Sequence, residues 1–113
     1  MPFINVKTTK EITPKDETRI KIALGDAIEN LGKSEMWLML SFEGNSHMYF
    51  KGRNDGDCAI AEVSLFGKAS DAQYDKMTKD VTDILCDTLG LSSECVYVKY
   101  DEIQHWGYNG FNF

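Results

Sequence analysis

The chain has 113 residues, a formal net charge of −6 and a sequence pI near 4.8. This length fits a single domain with a modest core, and the 42% of hydrophobic residues is typical of a globular protein rather than a disordered one. The acidic balance argues against a nucleic-acid partner, because phosphate binding needs a basic face. No stretch approaches the roughly 18 apolar residues of a membrane span, so we expect no membrane partner either.

The cysteines and histidines show no pattern of a metal or disulfide site. Cys58, Cys86 and Cys95 are odd in number and form no CxxC pair, and His47 and His105 stand alone. We therefore expect no metal, and mostly buried, reduced thiols of the kind found in a cytoplasmic chain. We expect no conventional signal peptide, because no charged segment followed by an apolar stretch opens the chain. Secretion by another route stays open.

The first elements in chain order are a strand, a helix and a second strand. The alternating run at residues 2–8 predicts the first strand. Thr13 followed by Pro14 is a typical helix start, and the apolar spacing continues to Leu31, before Gly32 ends the helix. The continuous apolar run "MWLMLSF" then predicts a strand buried on both faces. Turn residues follow it, with a short edge hairpin on "MYF".

The same order of elements repeats in the second half of the chain. "CAIAEVSLFG" predicts a strand, Ser70 and Asp71 open a helix that Gly90 closes, and "ECVYVKY" predicts a last strand. The two helix exits are alike, since "LGKS" begins at Leu31 and "LGLS" at Leu89. The inward stripe of the second helix is predicted to comprise Ala72, Met77, Val81, Ile84, Leu85 and Leu89. We interpret residues 1–113 as one domain with pseudo-repeats at roughly 1–57 and 58–113.

Two β-α-β units predict an α+β fold with a four-stranded sheet and two helices on one face. Each unit should hold its two strands in parallel. The other face of the sheet would be bare, although strands such as "MWLML" are apolar on both sides. A monomer seldom exposes that much apolar surface, so the pattern favours an oligomer.

The residues quoted above, with Pro2 after Met1 and Lys33 after a helix-ending glycine, resemble the macrophage migration inhibitory factor family of the tautomerase superfamily. The resemblance extends over essentially the whole chain. It implies a homotrimer whose sheets form a central barrel, with active sites between subunits. It also implies a cofactor-free keto–enol tautomerase, acting on small aromatic α-keto acids such as phenylpyruvate and on dopachrome-type compounds.

The resemblance assigns catalysis to Pro2, whose amine would act as base and then as acid. A small second residue allows removal of Met1, and an amine with a pKa of about 8 needs only a modest downward shift to work at neutral pH. Proline is also common at a strand start for purely structural reasons. The family's substrate-binding lysine falls on Lys33, which could otherwise simply complement a helix C-terminus.

Further substrate-binding positions follow from the same resemblance. Phe66 stands where the family uses a backbone amide, and Tyr97 where a neighbouring subunit contributes a tyrosine, although a tyrosine is also an ordinary strand residue. Lys99 replaces the family's asparagine, and could bind a second anion, lower the pKa of the proline or point away. The aromatic walls of the pocket would be Trp37, Tyr108 and Phe113, with Trp106 at the rim. Packing of this tail against another subunit is the alternative.

Two other functions stay open at this stage. A cytokine-like protein of the same fold would bind a receptor, if secreted, with residual or no catalysis. Another superfamily reaction at the same proline, such as hydration or dehalogenation, is disfavoured because only Arg19 and Arg53 are present. Thiol–disulfide exchange of the CxxC type is not expected, because Ala61 stands where the second cysteine would be.

Overall fold

The computed structural model describes all 113 residues and contains a four-stranded sheet with two helices packed against it. The strands are β1 (Pro2–Thr8), β2 (Met39–Glu43), β3 (Ala59–Phe66) and β4 (Val96–Ile103). The helices are α1 (Pro14–Ala27) and α2 (Asp71–Leu89), and a small hairpin of β5 (Gly107–Tyr108) and β6 (Phe111–Asn112) closes the chain. Neither helix combines the length and the apolar character that a membrane crossing requires.

The sheet has the strand order β2-β1-β3-β4, which confirms the duplicated β-α-β architecture and the α+β class. Each half contributes one parallel pair, β1 with β2 and β3 with β4. The halves join through the antiparallel pair of β1 and β3, in which Pro2 lies opposite Leu65. The first strand is therefore central, and its N-terminus lies at the end of the sheet where β3 finishes.

Both helices begin with a capping box. The Thr13 hydroxyl accepts a hydrogen bond from the Asp16 backbone N–H, and the Asp16 carboxylate accepts one from the Thr13 N–H. Ser70 and Gln73 repeat this exchange at α2. The predicted helix starts are thus correct, because the caps satisfy backbone donors that would otherwise lack partners.

The helix ends show one difference from the prediction. The α-helical part of α1 stops at Ala27, and a 3₁₀ turn (Ile28–Leu31) continues to Gly32. Gly32 and Gly90 both adopt the left-handed conformation, with φ of 72° and 71°, which glycine tolerates without a steric penalty. The chain therefore turns sharply just before Lys33.

The core lies between the helices and one face of the sheet. Its sixteen buried residues include Ile4 and Val6 of β1 and most of the predicted helix stripes. Ala72 was predicted to face inward but is exposed, because it lies in the first turn of α2, before Met77 reaches the core.

The prediction of a doubly buried second strand is wrong in two respects. Its first residues form a 3₁₀ turn (Glu35–Trp37), which Ser34 caps by accepting from the Met36 N–H. The strand that follows lies at the edge of the sheet and packs only one of its faces on the core, through Leu40 and Phe42. Met36 and Met39 are accordingly 80% and 67% exposed in the single chain. The predicted edge hairpin on "MYF" is reduced to one bridge, between Phe50 and Arg53.

The sheet face opposite the helices is more polar than the sequence suggested. Asn5 lies near its centre and accepts a 2.6 Å hydrogen bond from the Ser41 hydroxyl. The Asn5 amide donates to Glu43 and to Glu62, at 2.7 and 2.9 Å. The expectation of a bare apolar face is therefore wrong for the middle of the sheet, around Asn5. Side chains alternate between the two faces along β1 and β3, and the apolar ones of this region lie on the face that packs against the helices.

Candidate functional site

An open groove of about 920 Å³ lies at the N-terminal end of β1. Three segments line it: residues 1–3, residues 36–39 and residues 106–108, together with Ser64 and Ile103. Nine of its twelve lining residues are hydrophobic, so the groove suits a ligand with an apolar body.

Pro2 forms part of this groove, but its ring is fully buried, and Met1 lines the groove next to it. The pairing of β1 with β3 places Pro2 beside Leu65 and brings the Phe66 backbone N–H to the N-terminus. That N–H donates to the Met1 carbonyl oxygen at 3.0 Å. In the chain that carries Met1, this residue therefore occupies the Phe66 N–H donor beside Pro2.

Lys33 reaches the same place from the turn after α1. Its Nζ donates to the Phe66 carbonyl oxygen at 3.0 Å. Burial, and secondarily the charge of Lys33, lower the pKa of the Met1 amino group below its ordinary value. Both effects disfavour the protonated form of the amine. An amine at this end of the sheet, beside the Lys33 ammonium, is therefore more readily neutral than an ordinary N-terminus.

Two aromatic pairs involve the predicted wall residues, and one of them, Trp37 with Tyr108, lines the groove. Trp37 and Tyr108 meet edge to face, with ring centroids 5.3 Å apart, and Phe113 lies 5.7 Å from Phe66. The C-terminal hairpin holds Phe113 in place, since its backbone N–H donates to the Trp106 carbonyl oxygen at 2.9 Å. Of the predicted wall residues, Trp37 and Tyr108 line the groove with Pro2, whereas Phe113 packs on Phe66 outside its lining.

The C-terminal hairpin is not among the elements predicted from the sequence, although the sequence contains a signal for it. Asn109 and Gly110 connect β5 to β6 with positive φ angles of 54° and 81°. An Asn-Gly pair between two short runs is a strong indication of a tight hairpin turn. The hairpin presents Tyr108 to the groove.

Tyr97 and Lys99 lie elsewhere in the single chain. Tyr97 is opposite Ile60 on β3, five residues from the partner of Pro2, which corresponds to roughly 16 Å along the strand. Its ring is 60% exposed and packs edge to face on Phe50. Lys99 forms an ion pair with Asp101, with 3.4 Å between the charged atoms. One chain therefore brings Pro2, Lys33, Phe66 and the aromatic walls together, but not these two residues.

The groove is equipped for proton transfer and anion binding. Its N-terminal segment lies in an apolar lining, and the Phe66 N–H and the Lys33 ammonium adjoin that segment through the Met1 and Phe66 carbonyl oxygens. No group of three or more His, Cys, Asp or Glu side chains is arranged to hold a metal. The chain is thus a small α+β protein of two β-α-β units that share one sheet, and its candidate site is built around its N-terminus.

Comparison with known proteins identifies the family within this class. The family described as "Macrophage migration inhibitory factor (MIF)" matches residues 1–113, and the chain belongs to it. It is 30% identical over 115 residues to mouse macrophage migration inhibitory factor, covering all of this chain and 99% of that protein.

Solved structures agree with the fold. The crystal structure of MIF2 from Leishmania major matches with a TM-score of 0.93 and 25% identity, over all of this chain and 97% of that one. A protein described as a fused 4-OT wild-type symmetric trimer matches with a TM-score of 0.80 over 89% of this chain and 85% of its own. At 18% identity, the second likeness concerns the fold alone.

Proposed function

We propose that the chain, after removal of Met1, is a cofactor-free keto–enol tautomerase of small aromatic α-keto acids, with phenylpyruvate as the test substrate. The observation that carries the proposal is the position of Pro2, which lies in an aromatic groove beside Lys33 and the Phe66 N–H. Family membership supports a tautomerase-like function in general.

The proposed reaction uses one proton donor and acceptor. The neutral Pro2 nitrogen takes a proton from the carbon next to the keto group, and the resulting ammonium gives a proton to the carbonyl oxygen. The enol forms without any net change in the enzyme. An amine acts as a base only when unprotonated, so the influences that lower the pKa of the Met1 amine would serve Pro2 in the same way.

The remaining groups would bind the substrate. Lys33 would pair with the carboxylate, a charge-assisted contact stronger than a neutral hydrogen bond. The Phe66 N–H, which donates to the Met1 carbonyl here, would become free to donate to a substrate oxygen once Met1 is removed. Trp37 and Tyr108 would enclose the aromatic ring.

The unprocessed chain offers the sharpest test of this assignment. Protein that retains Met1, made by inhibiting methionine aminopeptidase and verified by intact mass, should be at least 100-fold slower with phenylpyruvate than processed protein, since a positioned general base contributes about 10²–10⁴-fold. In the retained form Pro2 is an amide nitrogen and cannot accept the proton. Equal activity of the two forms would contradict the proposal, and inactivity of both would favour the receptor-binding alternative.

The distance between Pro2 and Tyr97 leads us to propose a homotrimer with shared sites. A neighbouring subunit would bring Tyr97 and Lys99 to the groove, as in a symmetric assembly of head-to-tail contacts. The 4-OT protein with a similar fold is described as a symmetric trimer.

Mixed subunits test the shared site. Pro2→Gly and Tyr97→Ala chains, each weakly active alone, should recover about a quarter of the wild-type activity when folded together in equal amounts, because random assembly joins intact partners at that frequency. Phe50→Ala is the matched control. It removes the ring contact between Phe50 and Tyr97 but leaves Tyr97 in place, so this variant should keep its activity. If the mixed protein is no more active than the Pro2→Gly and Tyr97→Ala proteins measured separately, the site is not built from two subunits.

A further inference from the structure

The three cysteines, far apart in the sequence, come together at the end of the sheet opposite Pro2. Cys58 immediately precedes β3, Cys95 ends the short turn before β4, and Cys86 lies near the end of α2. All three are free thiols. Burial raises the pKa of Cys58 and of Cys86, and the charge of Cys95 raises both further, so the Cys95 sulfur lies within electrostatic reach of the other two.

The parallel pairing of β3 and β4 aligns two of these cysteines. Ala59 lies opposite Val96, and Cys58 and Cys95 are the residues directly before them. Neighbouring strands lie about 4.8 Å apart, and the Cα atoms of a disulfide are typically about 4.4–6.8 Å apart. The spacing of this strand pair therefore suits a bridge between the two cysteines.

The backbone at both positions is held by hydrogen bonds. The Cys58 carbonyl oxygen accepts from the Thr8 hydroxyl at 2.7 Å, and the Cys58 N–H donates to the Thr9 hydroxyl at 3.1 Å. The Cys95 N–H donates to the Ser92 carbonyl oxygen at 2.9 Å. Bridging would thus join two positioned segments rather than two loose ends.

Cys86 is the weaker partner for Cys95. Cys86 lies on α2, outside the sheet, so no strand register places it beside Cys95 as the pairing of β3 and β4 places Cys58. Cys86 and Cys95 are both half-buried, whereas Cys58 is only 4% exposed.

We propose that Cys95 and Cys58 form an intramolecular disulfide under peroxide. Of these two thiols, the half-buried Cys95 is the more accessible, since Cys58 is only 4% exposed. Peroxide transfers one oxygen to the Cys95 thiol, giving a sulfenic acid and water. The Cys58 sulfur then attacks the Cys95 sulfur, the S–O bond breaks, and the hydroxyl leaves as water with the Cys58 proton. Two thiols are oxidised to one disulfide, and the peroxide is reduced to two waters. This modification is independent of the proposed tautomerase activity.

Dilute folded protein treated with hydrogen peroxide provides the test. The number of thiols that iodoacetamide alkylates after unfolding should fall from three to one, and unreduced peptide mapping should find Cys58 linked to Cys95. The Cys86→Ser variant is the matched control and should form the same link with no free thiol left. Cys58→Ser should instead gain oxygen at Cys95 and form no internal link.

Other products of this oxidation would overturn the proposal. A link between Cys86 and Cys95, oxygen added at Cys95 in the wild type without a disulfide, or three thiols that stay alkylatable would each do so. The linked chain should also unfold at a higher urea concentration than the reduced chain, because a cross-link restricts the unfolded ensemble. An unchanged urea midpoint in the linked chain would contradict a bridge that fits the native strands.

Discussion

Replacing Pro2 by glycine in the Met1-free protein should lower kcat/KM for phenylpyruvate at least 100-fold. A positioned proton-transfer group contributes about 10²–10⁴-fold to a rate. Glycine leaves an amine at the same position in the chain, but without the ring that fixes the direction of the nitrogen. The rate of interconversion between the enol and keto forms of phenylpyruvate, followed by absorbance, is compared in the two proteins. Intact mass confirms that Met1 is absent from both.

The second proline provides a matched control for this substitution. Pro14 opens α1, on a surface that takes no part in the groove. Pro14→Ala should therefore leave kcat/KM unchanged, since only the start of the helix is affected. A Pro2→Gly protein that is folded and retains more than a tenth of the wild-type rate would contradict the catalytic role of Pro2.

Replacing Lys33 by alanine should lower kcat/KM by roughly 10- to 100-fold, the equivalent of one charged hydrogen bond of about 1.5–3 kcal/mol. The loss should appear mainly as a higher KM, because the proposed partner of the ammonium is the substrate carboxylate. Lys33→Arg keeps the charge and should recover part of the loss. Lys68 follows Gly67, another left-handed glycine with φ of 86°, and Lys68→Ala should have no comparable effect.

The same substitution should change the pH dependence in a defined direction. The base must be neutral, so kcat/KM falls as the pH falls through the pKa of the amine. Lys33 lowers the pKa of the amine at the N-terminus, and its removal should move this fall to higher pH. A shift to lower pH in Lys33→Ala would show that the lysine does not act on the amine.

The sequence predicted the architecture because its signals were local and repeated. The caps at Thr13 and Ser70 and the glycines at 32 and 90 mark the helices in both halves. Hydrophobic spacing then identified the helix faces, and the duplication indicated the pairing of the strands. These features follow from backbone hydrogen bonding and side-chain burial within a few residues, so no knowledge of the whole fold was needed.

The errors fall where distant parts of the chain decide the structure. The apolar run around Trp37 is compatible with a buried strand, and only the groove and the edge position of β2 explain its exposed turn. The polar face of the sheet depends on Asn5, Glu43 and Glu62 converging from three strands, which no single run reveals. The position of Tyr97 relative to Pro2 likewise follows from strand register.

Direct titration of the Pro2 nitrogen tests the central claim most directly. The chain has only two prolines, and in the Met1-free protein only one of them carries a free amine, so ¹⁵N-proline labelling gives a single resonance that titrates. We expect its pKa below the ordinary α-amino value of about 8, and higher in Lys33→Ala than in the wild type. A Pro2 pKa at or above that ordinary value, unchanged by Lys33→Ala, would contradict a base prepared by burial and by Lys33.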